Sequence, residues 1–346
     1  MLAWLRRNLF ADWISALITL ALLWVGVSLL IDVSDWAFFN AVYRPDAEAC
    51  HQLKHAGACW GMIAEKYPLI LFGRYPHAEQ WRALCAILIL LALLLGSAHP
   101  RAWSRWLPLA WLFGLGACGL CLKGGFAGLT PVDSELWGGL PLTLLLTVAG
   151  IGGAFPLALL IAFGRRSSLA VVRILLTWYV ELVRGIPLIP VLFLASFLFP
   201  LFLPAGVSID VLLRVLAAIV LFAAAYLSEV IRGGLESIPA GQYEAALALG
   251  FGAWQAQRLI ILPQALRAVV PSIMNSTIAL FKDTSLVTVV SLFDLTGALS
   301  LALAGDAQWR PFHLEGYLLI GAIYWLGCFA MSRYSVWIES RLSVHG

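Results

Sequence analysis

The sequence predicts an all-α integral membrane protein with about eight transmembrane helices, and three observations carry that expectation. Of 346 residues, 62% are hydrophobic and 12% charged, whereas soluble domains carry about 25% charged residues. The apolar residues gather into long runs instead of alternating along short strands. Charge collects between the runs.

In chain order the runs are Trp13–Ile31, Ala83–Leu95, Trp106–Leu122, Leu140–Phe163, Ile186–Leu203, Val211–Ile231, Ile273–Leu292 and Gly316–Met331. A bilayer needs roughly 20 apolar residues per helix, so the second and last are short. The fifth has an open start, because Leu175–Val183 is also apolar. Arg6 and Arg7 precede the first run, which is too long for a signal-peptide core and lacks a small-residue cleavage site. It reads as an uncleaved span.

With the N-terminus inside, thirteen of the 22 basic residues fall on inner segments and seven on outer ones. Five of those seven sit in a single long loop beside six acidic residues. The positive-inside rule therefore puts both termini in the cytoplasm. The chain divides near residue 135. Residues 1–136 form an N-terminal extension of three spans and an outer loop at about 32–82; residues 137–338 hold five spans with short connections. The loop is polar and aromatic, with Trp36, Phe38, Phe39, Tyr43, Trp60 and Tyr67, and can form a small stapled cap.

Cys85, Cys118, Cys121 and Cys328 lie in apolar runs, where packing accounts for them, including the isolated Cys118-x-x-Cys121 spacing. Cys50 and Cys59 differ because they fall in the outer loop beside His51 and His55. A disulfide and a zinc site are both open there, and an oxidising compartment favours the disulfide.

Several function classes are excluded. A net charge of +3 does not suggest nucleic acid as a partner. No G-x-x-x-x-G-K-[ST] phosphate loop occurs, and Gly124, Gly125 and Gly128 form an outer turn, so no ATP hydrolysis is expected of this chain. No Ser/His/Asp, H-E-x-x-H or paired-carboxylate arrangement stands out.

The stretch Gly241–Pro263 reads GQYEAALALGFGAWQAQRLIILP and lies between two apolar runs. Pro239 suits a first helical turn, Ser237 can cap nearby, and Gly250 with Gly252 allows a sharp reversal. A helical elbow at about 237–263 follows, its second helix running from about Trp254 to Leu262 and ended with the help of Pro263. Small Ala245 and Ala246 let a partner approach closely, and Glu244 offers it one charge. An amphipathic loop on the bilayer surface is the plainer reading. The spacing, Glu244-Ala245-Ala246, three residues, Gly250, nine residues, then Ile260-x-Leu262-Pro263, resembles the EAA loop of bacterial ABC-transporter permeases.

Two further patterns support the resemblance. Glu181-x-x-Arg184-Gly185 and Glu229-x-x-Arg232-Gly233 repeat one spacing at membrane edges, where each pair can also simply anchor a helix end. Gly185 and Pro187 loosen or kink the chain as the fifth run begins. Farther on come Leu262-Pro-Gln-Ala-Leu-Arg267, Pro271, Asn275 and Lys282-Asp283-Thr284-Ser285-Leu286. Charge in an apolar stretch is costly, so Lys282, Asp283, Thr284 and Ser285 are either a local ion pair with hydroxyls closing a helix distortion or part of a polar translocation path. Together these patterns resemble permeases of the polar amino-acid uptake family, and the layout resembles the longer permeases of general L-amino-acid uptake systems.

That resemblance covers about residues 137–338. It implies a five-helix type I ABC permease core in the bacterial inner membrane, importing L-amino acids delivered by a periplasmic amino-acid-binding protein. It implies a second permease subunit as a heterodimer partner and a cytoplasmic ABC ATPase dimer, which uses ATP and Mg; this chain binds no cofactor. Glu244, Ala245, Ala246, Gly250, Leu262 and Pro263 are the implied ATPase-docking residues. An ion-coupled secondary amino-acid transporter is the alternative, with Lys282, Asp283 and Arg214 as its only ionisable candidates. A membrane-bound enzyme built on Cys50, His51, His55 and Cys59 is a third, weaker class.

Overall fold

The computed structural model describes residues 2–53, 56–204 and 206–343, so His55 and Lys54 lie outside the described residues. The chain opens with α1 (Leu2–Asn8) and α2 (Trp13–Ser34), followed by α3 (Ala47–Gln52) and α4 (Gly61–Phe72). A hairpin of α5 (Gln80–Ala98) and α6 (Leu107–Lys123) comes next. Then follow α7 (Gly139–Gly164), α8 (Ala170–Gly185), α9 (Leu188–Phe193) and α10 (Val211–Ser237). The last elements are α11 (Ala240–Ala248), α12 (Ala253–Ala256), α13 (Leu262–Asp283), α14 (Leu295–Ala304) and α15 (His313–Ser343).

Among the described residues, six helical stretches are long and apolar enough to cross a membrane, or seven if the bent pair Ala170–Gly185 and Leu188–Phe202 is one span. The difference from eight comes from α6, whose 17 residues are apolar but one turn short. The fifth span is broken by 109°. Ile186 precedes Pro187, which disfavours helical backbone, and both residues are extended. The seventh begins far earlier than Ile273, since helix runs from Ala253 to Val290 through a π-turn at Gln257–Ile261 and a 3-10 stretch at Thr284–Val290.

The chain forms two compact units, Met1–Tyr67 with Leu303–Leu319, and Pro68–Ala302 with Ile320–Gly346. Helices α5 and α6 pack within the second unit.

In the first unit α2 buries none of its residues. Cys50 and Cys59 are joined by a disulfide, with Cα atoms 5.6 Å apart. Both sulfurs are thereby engaged, which removes the thiolates a zinc site needs. The stapled loop clasps the start of α15 and the segment that precedes it. Buried Glu315 accepts the Cys59 N–H at 2.8 Å, His51 Nε2 donates to the Gln308 carbonyl at 3.0 Å, and Lys66 Nζ meets Asp306 Oδ2 at 2.8 Å. The Lys66 hydrogen bond holds the Asp306 carboxyl below the usual carboxylate range.

In the second unit, α7 and α10 form the centre of the core, where Leu142, Leu146 and Ala154 meet Val215, Ile219 and Ala224. A Cβ at Gly150 would sit 3.0 Å from Ile219 and 3.1 Å from Leu280, so the small residue sets how closely α7, α10 and α13 approach. The N-terminus of α7 is fixed at Gly139, whose N–H donates to the Phe293 carbonyl at 2.8 Å and whose φ of +63° calls for glycine. Fully buried Asp294 caps α14, accepting from Gly297 N–H at 3.0 Å and from the Thr288 and Tyr324 hydroxyls at 2.9 Å each. Nothing in local sequence singles out that carboxylate. At the end of α6, fully buried Arg82 donates to the carbonyls of Cys121 and Leu122 at 2.8 and 3.1 Å and to Thr130 at 2.9 Å. A guanidinium there satisfies the last carbonyls and opposes the helix dipole.

Candidate functional site

Between α10 and α13 the chain makes the predicted elbow. Its first arm, α11, ends in a Schellman motif: Gly250 N–H donates to Leu247 O at 2.9 Å and Phe251 N–H to Ala246 O at 3.2 Å. Gly250 has a φ of +84°, which a side chain would strain. The Gly252 N–H then donates to Gln255 Oε1 at 3.0 Å and starts α12. Ser237 caps nothing in the elbow, because its hydroxyl donates back to Gly234 O at 2.8 Å, closing α10. Nor does Pro263 end the second arm; it lies in the first turn of α13, where its missing N–H is tolerated, and helix continues through it.

Glu244 and Ala245 are exposed, whereas Ala246 is 1% exposed and packs inward, so the smallness of Ala246 serves the elbow's own interior. Leu262 is half-buried and Pro263 exposed. The outer face is largely apolar, with Leu249 77% and Trp254 62% exposed beside Leu247 and Leu259. Such a face, on which Glu244 and Arg258 are also exposed, suits a docking partner or the bilayer surface. Trp254 packs edge-on against Phe163 of α7 with ring centroids 5.9 Å apart, tying the second arm to the bundle. Leu249 and Trp254 were not singled out from sequence, although both lie inside the motif and apolar exposure has no local signature.

The two Glu-x-x-Arg-Gly pairs converge on one cluster. Glu229 ion-pairs with Arg232 and with Arg165, and Arg184 Nη1 approaches it at 3.7 Å. Arg165 Nη2 also meets Glu181 at 3.6 Å, and Arg232 Nη1 meets Glu236 at 2.5 Å. The expected Glu181–Arg184 contact is replaced by crossed pairs, because Arg165 from the end of α7 stands between the two motifs. Three guanidiniums face three carboxylates, and Glu229 alone touches three of them. The cluster fastens α7, α8 and α10 at one level, helped by Tyr179, whose hydroxyl donates to Leu221 O at 2.6 Å.

Lys282 and Asp283 make no ion pair with each other; adjacent residues on a helix point about 100° apart. Lys282 is exposed and Asp283 half-buried. The hydroxyls do close a helix distortion: Thr284 Oγ1 donates to Phe281 O and Ser285 Oγ to Lys282 O, both at 2.7 Å, where α-helix becomes 3-10. Arg214 donates to the carbonyls of Ile209 and Ser196, a bridge between the end of the broken span and α10.

A polytopic helical bundle with an elbow between two of its spans and a neutralised charge cluster fits a membrane-embedded transport component. A family model described as "Binding-protein-dependent transport system inner membrane component" matches residues 154–344, and the chain belongs to that family. It is 44% identical to the inner membrane amino-acid ABC transporter permease protein YhdY of Escherichia coli, over 99% of this chain and 93% of that protein. It is 35% identical to the glutamate/glutamine/aspartate/asparagine transport system permease protein BztC of Rhodobacter capsulatus, over 98% of this chain and 93% of the relative. A crystal structure of an amino acid ABC transporter with histidines superposes with a TM-score of 0.53 at 29% identity, covering 58% of this chain and 91% of that one. The chain is therefore an all-α, multi-pass inner-membrane permease subunit.

Proposed function

We infer that the chain is the permease subunit of an ATP-driven importer for L-amino acids, moving substrate handed over by a periplasmic binding protein. Likeness along nearly the whole chain to amino-acid permeases supports the substrate class; the ion-coupled alternative gains no support from them. The observation that carries the mechanism is the elbow, whose apolar Leu249 and Trp254 stand exposed on a turn held by backbone hydrogen bonds. An ATPase dimer, which binds ATP and Mg itself, docks there with Glu244, Ala245 and Gly250 on the contact face. Ala246, Leu262 and Pro263 hold the two arms in place behind it.

Both termini lie in the cytoplasm in this reading, as does the elbow, and a second, different permease subunit completes the pathway. The permease domain is residues 137–338, with residues 1–136 as an extension. Lys282, Asp283, Thr284 and Ser285 line the path, at the break from α to 3-10 helix, where the Lys282 and Asp283 charges can meet an amino acid's charged ends. ATP-driven closure of the ATPase pair moves the elbow, and the cluster at Glu229 carries α7, α8 and α10 as one body. Nucleotide and loaded binding protein then favour the same state of a two-state element.

The test is co-purification from solubilised membranes of an ATPase with the native chain and with the variants Glu244→Ala, Gly250→Asp and Leu249→Asp. Recovery with the native chain and loss with the variants, together with loss of radiolabelled amino-acid uptake, is the expected result. Uptake that survives ATP depletion and collapses with the proton gradient would sink this reading.

A further inference from the structure

Where α5 ends, its last turns meet the last turns of α15. Leu95 and Ala98 of α5, His99 and Arg101 of the adjoining turn, and Trp337 and Arg341 of α15 surround an open cavity of about 460 Å3. One wall is apolar and the rim is basic, and among the described residues no acidic side chain lines it. Among the described residues neither Arg101 nor Arg341 has a carboxylate within ion-pair reach, in contrast to the saturated arginines around Glu229. The Arg341 guanidinium lies over the Trp337 ring, 5.6 Å from its centroid. That contact uses the flat face of the group and leaves its in-plane N–H donors available. On the other side, His99 Nδ1 accepts the Arg101 N–H at 3.2 Å, so Nε2 is the donor nitrogen of that ring.

Two uncompensated guanidiniums and an imidazole donor suit a phosphate group. A free phosphate would need the rim alone. The wall of Leu95, Ala98 and Trp337 continues the lipid-facing side of a membrane-spanning helix, with Leu95 73% exposed, and so offers a second, apolar contact along the same ligand. A molecule with a phosphate at one end and hydrocarbon at the other uses both.

We propose that this cavity binds the phosphate headgroup of an anionic phospholipid, its acyl chains lying along α5. The site stands independently of the transport reading. Only its placement in the inner leaflet rests on the orientation proposed above, where basic pockets between spans suit anionic lipid.

The test uses the full-length protein, delipidated in uncharged detergent and followed by native mass spectrometry. Dioleoyl phosphatidylglycerol, dioleoyl phosphatidylcholine and inorganic phosphate are the probes. Phosphatidylglycerol is expected to bind in preference to phosphatidylcholine, with affinity lowered on the order of tenfold in Arg101→Ala/Arg341→Ala and largely kept in Arg101→Lys/Arg341→Lys. Equal binding of the two lipids, or an unchanged alanine pair, overturns the site. Displacement by millimolar inorganic phosphate overturns the lipid assignment and makes it a free-anion site. Should the alanine pair not fold, the unmodified protein decides: phosphatidylglycerol is expected to raise its melting temperature by about 3 °C more than phosphatidylcholine does, and no difference refutes the proposal. None of these readouts involves transport, so their failure leaves the importer reading untouched.

Discussion

Replacing Glu229 by Gln removes one carboxylate from a cluster in which it faces Arg165, Arg184 and Arg232. The side chain of Glu229 is 22% exposed and that of Arg165 only 9%. At an effective dielectric near 20, each pair at about 4 Å carries about 4 kcal/mol of attraction, most of it offset by lost hydration. Breaking a buried pair costs about 3–5 kcal/mol and an exposed one under about 1, so this half-sheltered site should lose about 2–3 kcal/mol. For a chain this long that lowers the melting temperature by about 5 °C, read by tryptophan fluorescence in detergent. Glu181→Gln is the internal control, since its carboxylate is 64% exposed and should cost under about 0.5 kcal/mol. A double-mutant cycle of Glu229→Gln with Arg165→Gln should show about 1–2 kcal/mol of coupling. If Glu229→Gln melts within a degree of the parent at both low and high salt, the cluster is a screened surface feature, and the account of α7, α8 and α10 as one fastened body fails.

Gly139→Ala should abolish accumulation of monodisperse protein, because a Cβ there lies 2.1 Å from the Leu71 carbonyl oxygen and the backbone is left-handed; a normal size-exclusion profile would contradict that geometry. Cys59→Ser should cost the cap about 2–3 kcal/mol, the loop-closure value for a separation of nine residues, and appear as faster limited proteolysis of the outer loop with ATPase co-purification unchanged. The Lys66–Asp306 pair should stabilise the cap from the ordinary aspartate value of 3.8 up to the ordinary lysine value of 10.5, and be lost as pH falls through the lowered Asp306 value or rises through the raised Lys66 value. Protease resistance that already declines between pH 6 and 5 in the parent, and equally in Asp306→Asn, would show that another group governs it.

Much of the bundle was legible because membrane spans announce themselves as apolar runs, and the elbow because Gly250 and its neighbours fix a local turn. The bend after α8 was legible at Pro187, though its 109° angle was not. Arg165 was invisible as the partner of Glu229, since 64 residues separate them and neither motif contains it. Asp294 and Arg82 escaped for a related reason: each is read as an ordinary loop or helix-edge charge until its acceptors and donors are brought in from elsewhere. The sequence left disulfide and zinc open at Cys50 and Cys59, a choice settled by geometry. Span limits were weakest where helix type changes, as at Gln257–Ile261 and Thr284–Val290, because π and 3-10 turns keep the same apolar composition.

The clasp on the stapled loop sets an order of events during synthesis. Cys50 and Cys59 lie nine residues apart and can join as soon as that loop emerges, whereas the carboxylate that receives the Cys59 N–H is made 256 residues later. At about 5–20 residues per second that interval is roughly 13 to 50 s. A nascent or truncated chain lacking its final helix therefore displays a half-built clasp, with an unmet N–H at Cys59. The finished clasp is a chemical receipt that the last helix has arrived.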